Sequence, residues 1–306
     1  MENIEKILLG TEGFDSYQRI GVSHPIAWYA GRDTTGRSSI FCIVETKPTI
    51  ITSTRLIDVF VGVRKDLKFG ITFSLKDESY IGLFSHFGED MVDYTKNTTK
   101  PEKAADVICA RYIQWQNAFK RNNGGILSYE EMKGLVGELL FMKMRLFSTY
   151  GKEHSIDSWS GVELTDQDFN CGNTWYEVKS TVSGSTTVKI SSIEQLDTGN
   201  EGHLVVMLLD KTSEDDSSRI TLNNMYEMVL SDLDSLSYQE KFKNKMLSFG
   251  YYPNEIYNKY GFKYNGLFMY KVNNDFPCLR RKDVPVAVQT VKYELSLPAI
   301  NEFKEE

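Results

Sequence analysis

Cysteine and histidine are scarce, with four of each in 306 residues. Cys42, Cys109, Cys171 and Cys278 lie too far apart for any zinc-ligand spacing, and a chain of this length needs no disulfide staples, so plain thiols are expected. His24, His86, His154 and His203 are equally scattered, with no helical His-x3-His pair and no obvious serine or cysteine partner. Histidine-based hydrolysis is thereby disfavoured. Long apolar runs are absent too: Leu204–Leu209 is far too short to cross a bilayer, and MENIEKILLG lacks a basic stretch followed by an apolar one. A cytoplasmic protein with no membrane association is expected.

Basic charge is in deficit, with a formal net charge of −7, which argues against a protein that coats nucleic acid without specificity. Two stretches run the other way. Lys96–Arg121 carries six basic residues against Glu102 and Asp106, and Lys259–Lys292 carries seven against Asp275 and Asp283. Acid concentrates at Asp210–Asp216 and Glu227–Glu240. A surface with one basic and one acidic face is compatible with this pattern, as are two ordinary solvated stretches.

What is present is a normal globular composition, 41% hydrophobic and 25% charged, in a chain long enough for one large domain or two to three small ones. Residues 1–95 alternate apolar and polar residues in segments such as STRLIDVFVGV and KFGITFSL, broken by GRDTTGR and LKDES. This reads as an antiparallel β-rich domain. TKNTTKPEK is a polar linker, and Ala104–Arg121 reads as a helix with Val107, Ile108, Tyr112, Ile113 and Trp115 on its apolar side. After an NNGG turn, Ser128 and Glu131 form a capping box that opens a second helix reaching about Tyr150. Then come a hairpin, a short helix at SSIEQL, the strand HLVVMLL, helices over Leu222–Leu236 and Leu236–Phe249, and an aromatic β-rich tail. The expected divisions are a β-rich domain over 1–95, an α/β core over 96–215 and a helical and β-rich extension over 216–306.

The hairpin DFNCGNTWYEVKST carries charges where a core strand should have none. With the strand period of two, Trp175, Glu177, Lys179 and Thr181 share one face and Tyr176, Val178 and Ser180 the other. The turn Asn170–Asn173 brings Asp168 back toward Glu177 and Lys179. Two carboxylates and an ammonium then share one small volume, and close like charges raise a carboxylate's pKa unless a cation compensates. A divalent metal is the economical cation. Upstream, Leu135, Val136, Leu139, Phe141 and Met142 crowd around Glu138 on the second helix, so that carboxylate sits at the edge of an apolar stripe and could reach the same cluster.

These residues resemble the PD-(D/E)XK, or restriction-endonuclease-like, nuclease superfamily: a helix bearing Glu138, then Asp168, then Glu177-x-Lys179, then a helix and a strand. A closer likeness is to an uncharacterised bacterial family of PD-(D/E)XK proteins, which the chain resembles in GELLFM, Trp159, WYEVKST and the Ile190, Ser191, Gln195, Leu196 set. The likeness is strongest over residues 134–210. One departure is Gln167, which stands where the family's literal motif has proline.

The resemblance implies an α/β (α+β) core with a mixed central sheet flanked by helices. It implies Mg²⁺, or Mn²⁺, held by Asp168, Glu177 and the Val178 carbonyl, with Glu138 holding a second metal or a water. Lys179 would orient the attacking water, and Gln195 would contact phosphate or hold Lys179. Asp166 is the reserve ligand if the strand register differs. The activity implied is a metal-dependent DNA endonuclease in restriction or phage defence, working as a homodimer or with other defence subunits. The alternatives are a non-catalytic DNA-binding or assembly subunit on the same fold, and a nuclease acting on RNA.

Overall fold

Alternation in the first eighty residues produces five strands, β1 (Ser16–Ile20), β2 (Ala27–Arg32), β3 (Ser38–Val44), β4 (Ile57–Val63) and β5 (Phe69–Leu75). The computed structural model describes residues 3–49, 52–119, 126–160 and 166–305. The strands form one antiparallel sheet in the order β1-β2-β3-β5-β4. One face of it, through Trp28, Ala30, Ile40, Cys42, Ile71 and Phe73, is buried against helix α1 (Ile4–Gly10) and two further helices, α2 (Ile81–Thr95) and α3 (Ala104–Phe119).

Helix α2 is an element that the β-rich reading of residues 1–95 did not include. Leu83, Phe84, Phe87, Met91, Val92 and Thr95 recur at helical spacing and all are buried, so this stretch forms a core-facing helix. Helix α3 begins where expected. The expected final residues, Lys120 and Arg121, and the NNGG turn lie outside the described residues. The chain divides into two compact units, Met1–Ile126 with Leu247–Tyr252, and Leu127–Met246 with Pro253–Glu306. This partition differs from divisions near 95 and 215. Helices α2 and α3 share a core with the first sheet, while β-strands on both sides of residue 215 pair with each other.

In the second unit, α4 (Tyr129–Phe141) starts at the capping box foreseen in the sequence: Ser128 Oγ accepts from the Glu131 amide while the Glu131 carboxylate accepts from the Ser128 amide at 2.8 Å. The helix runs on through a widened turn, Met142–Leu146, into α5 (Phe147–Tyr150) and is followed by α6 (Lys152–Ser158). A four-stranded mixed sheet has the order β10-β9-β7-β6, from β6 (Phe169–Asn170), β7 (Trp175–Thr181), β9 (Gly202–Lys211) and β10 (Phe262–Val272). Strands β7 and β9 are parallel, and the other pairs are antiparallel. A two-stranded sheet pairs β8 (Thr187–Ile190) with β11 (Tyr293–Ser296). Helices α7 (Leu222–Asp232) and α8 (Leu236–Ser248) follow the expected spans to within four residues or fewer.

One expected element is different. SSIEQL is a turn, closed by hydrogen bonds from the Leu196 and Asp197 amides to the Ile193 carbonyl at 3.2 and 3.1 Å. The spacing of Ile193 and Leu196 suits a single turn as well as a helix, and both side chains are buried. The fold is thus the mixed α/β arrangement expected of a restriction-endonuclease-like core, joined to an N-terminal antiparallel sheet. All four cysteines are free thiols. Among the described residues no helix is long and apolar enough to cross a membrane.

Candidate active site

The β6–β7 hairpin sets the site's geometry. Its turn is closed by the Cys171 amide donating to the Thr174 carbonyl at 2.9 Å, and Gly172 takes φ +84°, a conformation that glycine adopts without a steric penalty. Phe169 then pairs with Tyr176 and Asn170 with Trp175. Asp168 falls just before the paired segment, where its Oδ2 accepts a 2.7 Å hydrogen bond from the Val178 amide. A carboxylate here occupies the place of a neighbouring strand's carbonyl. In a strand the N–H and C=O of one residue point to the same edge, so the Val178 carbonyl faces the side that Asp168 occupies.

The strand alternates as the period of two requires. In the parallel register Glu177 lies opposite Leu204 and Lys179 opposite Val206, so both charged side chains share a face with apolar residues of β9. Glu177 is 0% exposed. Its Oε1 forms an ion pair with Lys179 Nζ at 2.6 Å, and both carboxylate oxygens are buried without a well-formed hydrogen bond. Lys179 also donates to Gln195 Oε1 at 3.1 Å, and that oxygen accepts from the Ser191 amide at 2.8 Å. Gln195 thus links Lys179 to the backbone of the 191–196 turn.

Next to Glu138, helix α4 packs closely on β7: a β-carbon on Gly137 would lie 1.9 Å from Ser180 Oγ and 3.3 Å from Ser180 Cβ, so any side chain there would force Ser180 to move. Trp159 Nε1 donates to Glu138 Oε2 at 2.8 Å. Glu138, Asp168, Glu177, Val178, Lys179 and Gln195 all line one cleft of about 650 Å³. Asp166, the reserve residue, is exposed and does not line it. Residues 161–165, which precede the hairpin's first strand, lie outside the described residues.

The electrostatics are those of carboxylates in need of a cation. Burial pushes the Glu177 carboxyl well above the usual range, the Asp168 charge adds to this, and Lys179 opposes it. Burial and the Asp168 charge likewise raise Glu138, against the Trp159 hydrogen bond. Asp168 is pushed up to about 6 by burial, in spite of Lys179 and the Val178 amide. Among the described residues no three His, Cys, Asp or Glu side chains converge as a closed metal cage. The donors present are Asp168, Glu177 with its unsatisfied Oε2, and a strand-edge carbonyl, an open all-oxygen set of the kind Mg²⁺ takes while keeping several waters. The residues fit a hard divalent cation.

Sequence reasoning passed over Gly137. A glycine inside an apolar helical segment weakens the helix by about 1 kcal/mol and so signals a close approach. It also passed over Lys133, which is buried on the α4 wall of the same cleft. The two basic stretches are partly neutralised by acids from elsewhere in the chain: Arg111 is buried and bonded to Asp90, and Lys263, Lys271 and Arg280 pair with Asp216, Glu201 and Asp197.

Residues 9–298 match the profile of a family described as "Putative PD-(D/E)XK family member, (DUF4420)". No curated protein and no solved structure matches the chain. With nearly its whole length matched, the chain belongs to that PD-(D/E)XK family.

Proposed function

We propose, from this family membership and the chemistry of the cleft, that the protein is a Mg²⁺-dependent endodeoxyribonuclease of restriction or phage-defence type, with Mn²⁺ as an alternative metal. The observation that carries the reading is Glu177: a carboxylate with 0% exposure, one oxygen on Lys179 and the other unsatisfied, beside a second carboxylate. A purely structural role gives no reason to bury such a group. Asp168, Glu177 and the Val178 carbonyl would hold the cation, which supplies neutralisation of charge on the phosphate oxygens and a more acidic water.

The chain's own groups do the positioning. Gln195 and Glu177 hold the Lys179 ammonium, at 3.1 and 2.6 Å, which leaves one of its three N–H groups to orient the attacking water. Asp168 is anchored by the Val178 amide through one oxygen and keeps the other for the cation. Glu138, fixed by Trp159, is assigned to a second metal or a water.

Purified protein incubated with plasmid, linear, modified and single-stranded DNA and Mg²⁺ or Mn²⁺, beside Lys179→Ala, tests this. Cleavage by the wild type alone is expected. A wild type that binds DNA and cuts none of these substrates, alone or with its genomic neighbours, would leave the non-catalytic DNA-binding or assembly subunit as the better reading. Cleavage of RNA in preference to DNA would shift the substrate and leave the site assignment standing.

A further inference from the structure

Lys133 is the cleft's uncommitted buried cation. It lies on α4, 6% exposed, beside Gly134 and Glu138 on the cleft wall, and its ammonium has no hydrogen-bond or ion-pair partner among the described residues. The acids nearest in charge terms are Glu130, which is exposed, and Asp210. Asp210 is already engaged by the Ser183 amide and hydroxyl and by Asn265. Burial accordingly lowers the Lys133 pKa, against the pull of those two acids. A buried lysine normally has a partner, because loss of hydration without a compensating charge is unfavourable.

The charge of the cleft says what that partner is. Glu130, Glu138, Asp168 and Glu177 face Lys133, Lys179 and Lys189, a formal balance of four negative against three positive groups, which disfavours a phosphodiester. One divalent cation turns the balance to a net positive one. Lys179 is committed to Glu177 and Gln195, and Lys189 is exposed and keeps its water. Lys133 lines the cleft with no partner among the described residues, so an anion entering the cleft gains most there.

We propose that Lys133 is a phosphate-anchoring residue, binding a backbone phosphate of the nucleic acid that flanks the one held at Asp168 and Glu177. The inference rests on the nuclease reading for the identity of the polyanion, and the test separates the two. Binding of duplex DNA is measured by fluorescence anisotropy over a range of salt concentrations, with Ca²⁺ replacing Mg²⁺, for wild type, Lys133→Met, Lys133→Arg and Lys189→Met. Each phosphate neutralised contributes about 0.9 to the slope of log affinity against log salt.

Lys133→Met should bind about tenfold more weakly with a slope lower by about 1, whereas Lys133→Arg keeps the slope and the exposed Lys189→Met changes it little. Because an unpaired buried charge is replaced by an apolar side chain of similar length, Lys133→Met should melt at the wild-type temperature or above it. An unchanged slope in a folded Lys133→Met, or a Lys133→Met that melts well below wild type, assigns the lysine a structural role and overturns the proposal. A wild type that binds no nucleic acid overturns this proposal together with the nuclease reading. A wild type that binds with the predicted Lys133 dependence but never cuts overturns the nuclease alone.

Discussion

Two aspartates, Asp33 and Asp168, each line a cleft, and they behave in opposite ways. Asp33, in the turn between β2 and β3, is 6% exposed and lines a cleft of about 500 Å³ with Tyr17, Phe41 and Asp58. Its Oδ1 accepts from the Thr35 amide, the Thr35 hydroxyl and the Arg37 amide at 2.8, 2.7 and 3.0 Å, and its Oδ2 accepts from Arg37 Nε at 3.1 Å. Burial pushes this carboxyl up, but donors from Thr35, Ser74 and Arg37 outweigh it and hold it down at about 2. Asp168 meets one amide and is pushed up to about 6. A cleft with a carboxylate in it is therefore not by itself a site. What separates the two is whether the local sequence supplies the donors, as Asp-Thr-Thr-Gly-Arg does at a turn and Gln-Asp-Phe before a strand does not.

Removing Lys179 should have the largest effect in this comparison. Lys179→Ala is expected to lower cleavage by about 10³-fold or more, because a group acting on the attacking water contributes about 10²–10⁴-fold, while DNA affinity stays within a few-fold. Asp33→Asn should leave cleavage near wild type. A Lys179→Ala protein that cuts normally would retire the role given to that residue, and an Asp33→Asn protein that fails to cut while remaining folded would break the contrast itself.

The two aspartates should also pull stability in opposite directions with pH in chelated protein. Asp168 has a folded pKa raised from 3.8 to about 6, so the folded state holds its proton more tightly. Stability from this group is present below about 4 and is lost as pH rises to about 6, by about 2–3 kcal/mol. Asp33 is lowered from 3.8 to about 2, so its contribution, of similar size, is present above about 4 and is lost as pH falls to about 2. Denaturant unfolding across this range, taken as the difference between wild type and each Asp→Asn variant, checks both signs. Slopes of the same sign for the two variants would show that donor supply is not what distinguishes the sites.

Metal should act on one site only. Mg²⁺ or Mn²⁺ is expected to stabilise the wild type by about 1–3 kcal/mol at concentrations well above Kd, and Asp168→Asn or Glu177→Gln should remove that increment. Asp33→Asn should keep it in full. Thermal unfolding with and without chelator measures this, and equal metal-induced shifts in all four proteins would remove Asp168 and Glu177 from the metal site.

Much of the geometry around Asp168, though nothing of Asp33, was legible in the sequence. The period of two in WYEVKST placed Glu177 and Lys179 side by side, and the Asn170–Asn173 turn returned Asp168 to that strand, where it meets the Val178 amide. The Ser128–Glu131 capping box fixed the start of α4. The features that escaped are those set by neighbours distant in sequence. Helix α2 was hidden in a region read for alternation, although Leu83, Phe87 and Met91 mark its buried stripe. Charge sums over 96–121 and 259–292 counted Arg111 and Arg280 as free, whereas their carboxylates come from residues 90 and 197. The tight contact at Gly137 comes from Ser180, forty-three residues on, and only packing reveals it.

The smallest effect is expected at Glu138, and it sharpens the contrast between supplied and starved carboxylates. Glutamine at this position keeps an oxygen to accept from Trp159 Nε1, now at 2.8 Å from Glu138 Oε2, and removes one charge from a cluster that burial and Asp168 already destabilise. Chelated Glu138→Gln protein should therefore be as stable as wild type at neutral pH or more stable, by about 1 kcal/mol or less once solvent in the cleft screens the repulsion. Its cleavage should fall by about tenfold to a hundredfold, the range typical of a partner that supports a metal or water from outside the principal ligand set. Thermal unfolding in chelator and cleavage rates at saturating Mg²⁺ measure the two together. If Glu138→Gln loses stability and activity in parallel, the charge of Glu138 serves the fold, since its acceptor for Trp159 is kept, and the starved cluster shrinks to Asp168 and Glu177.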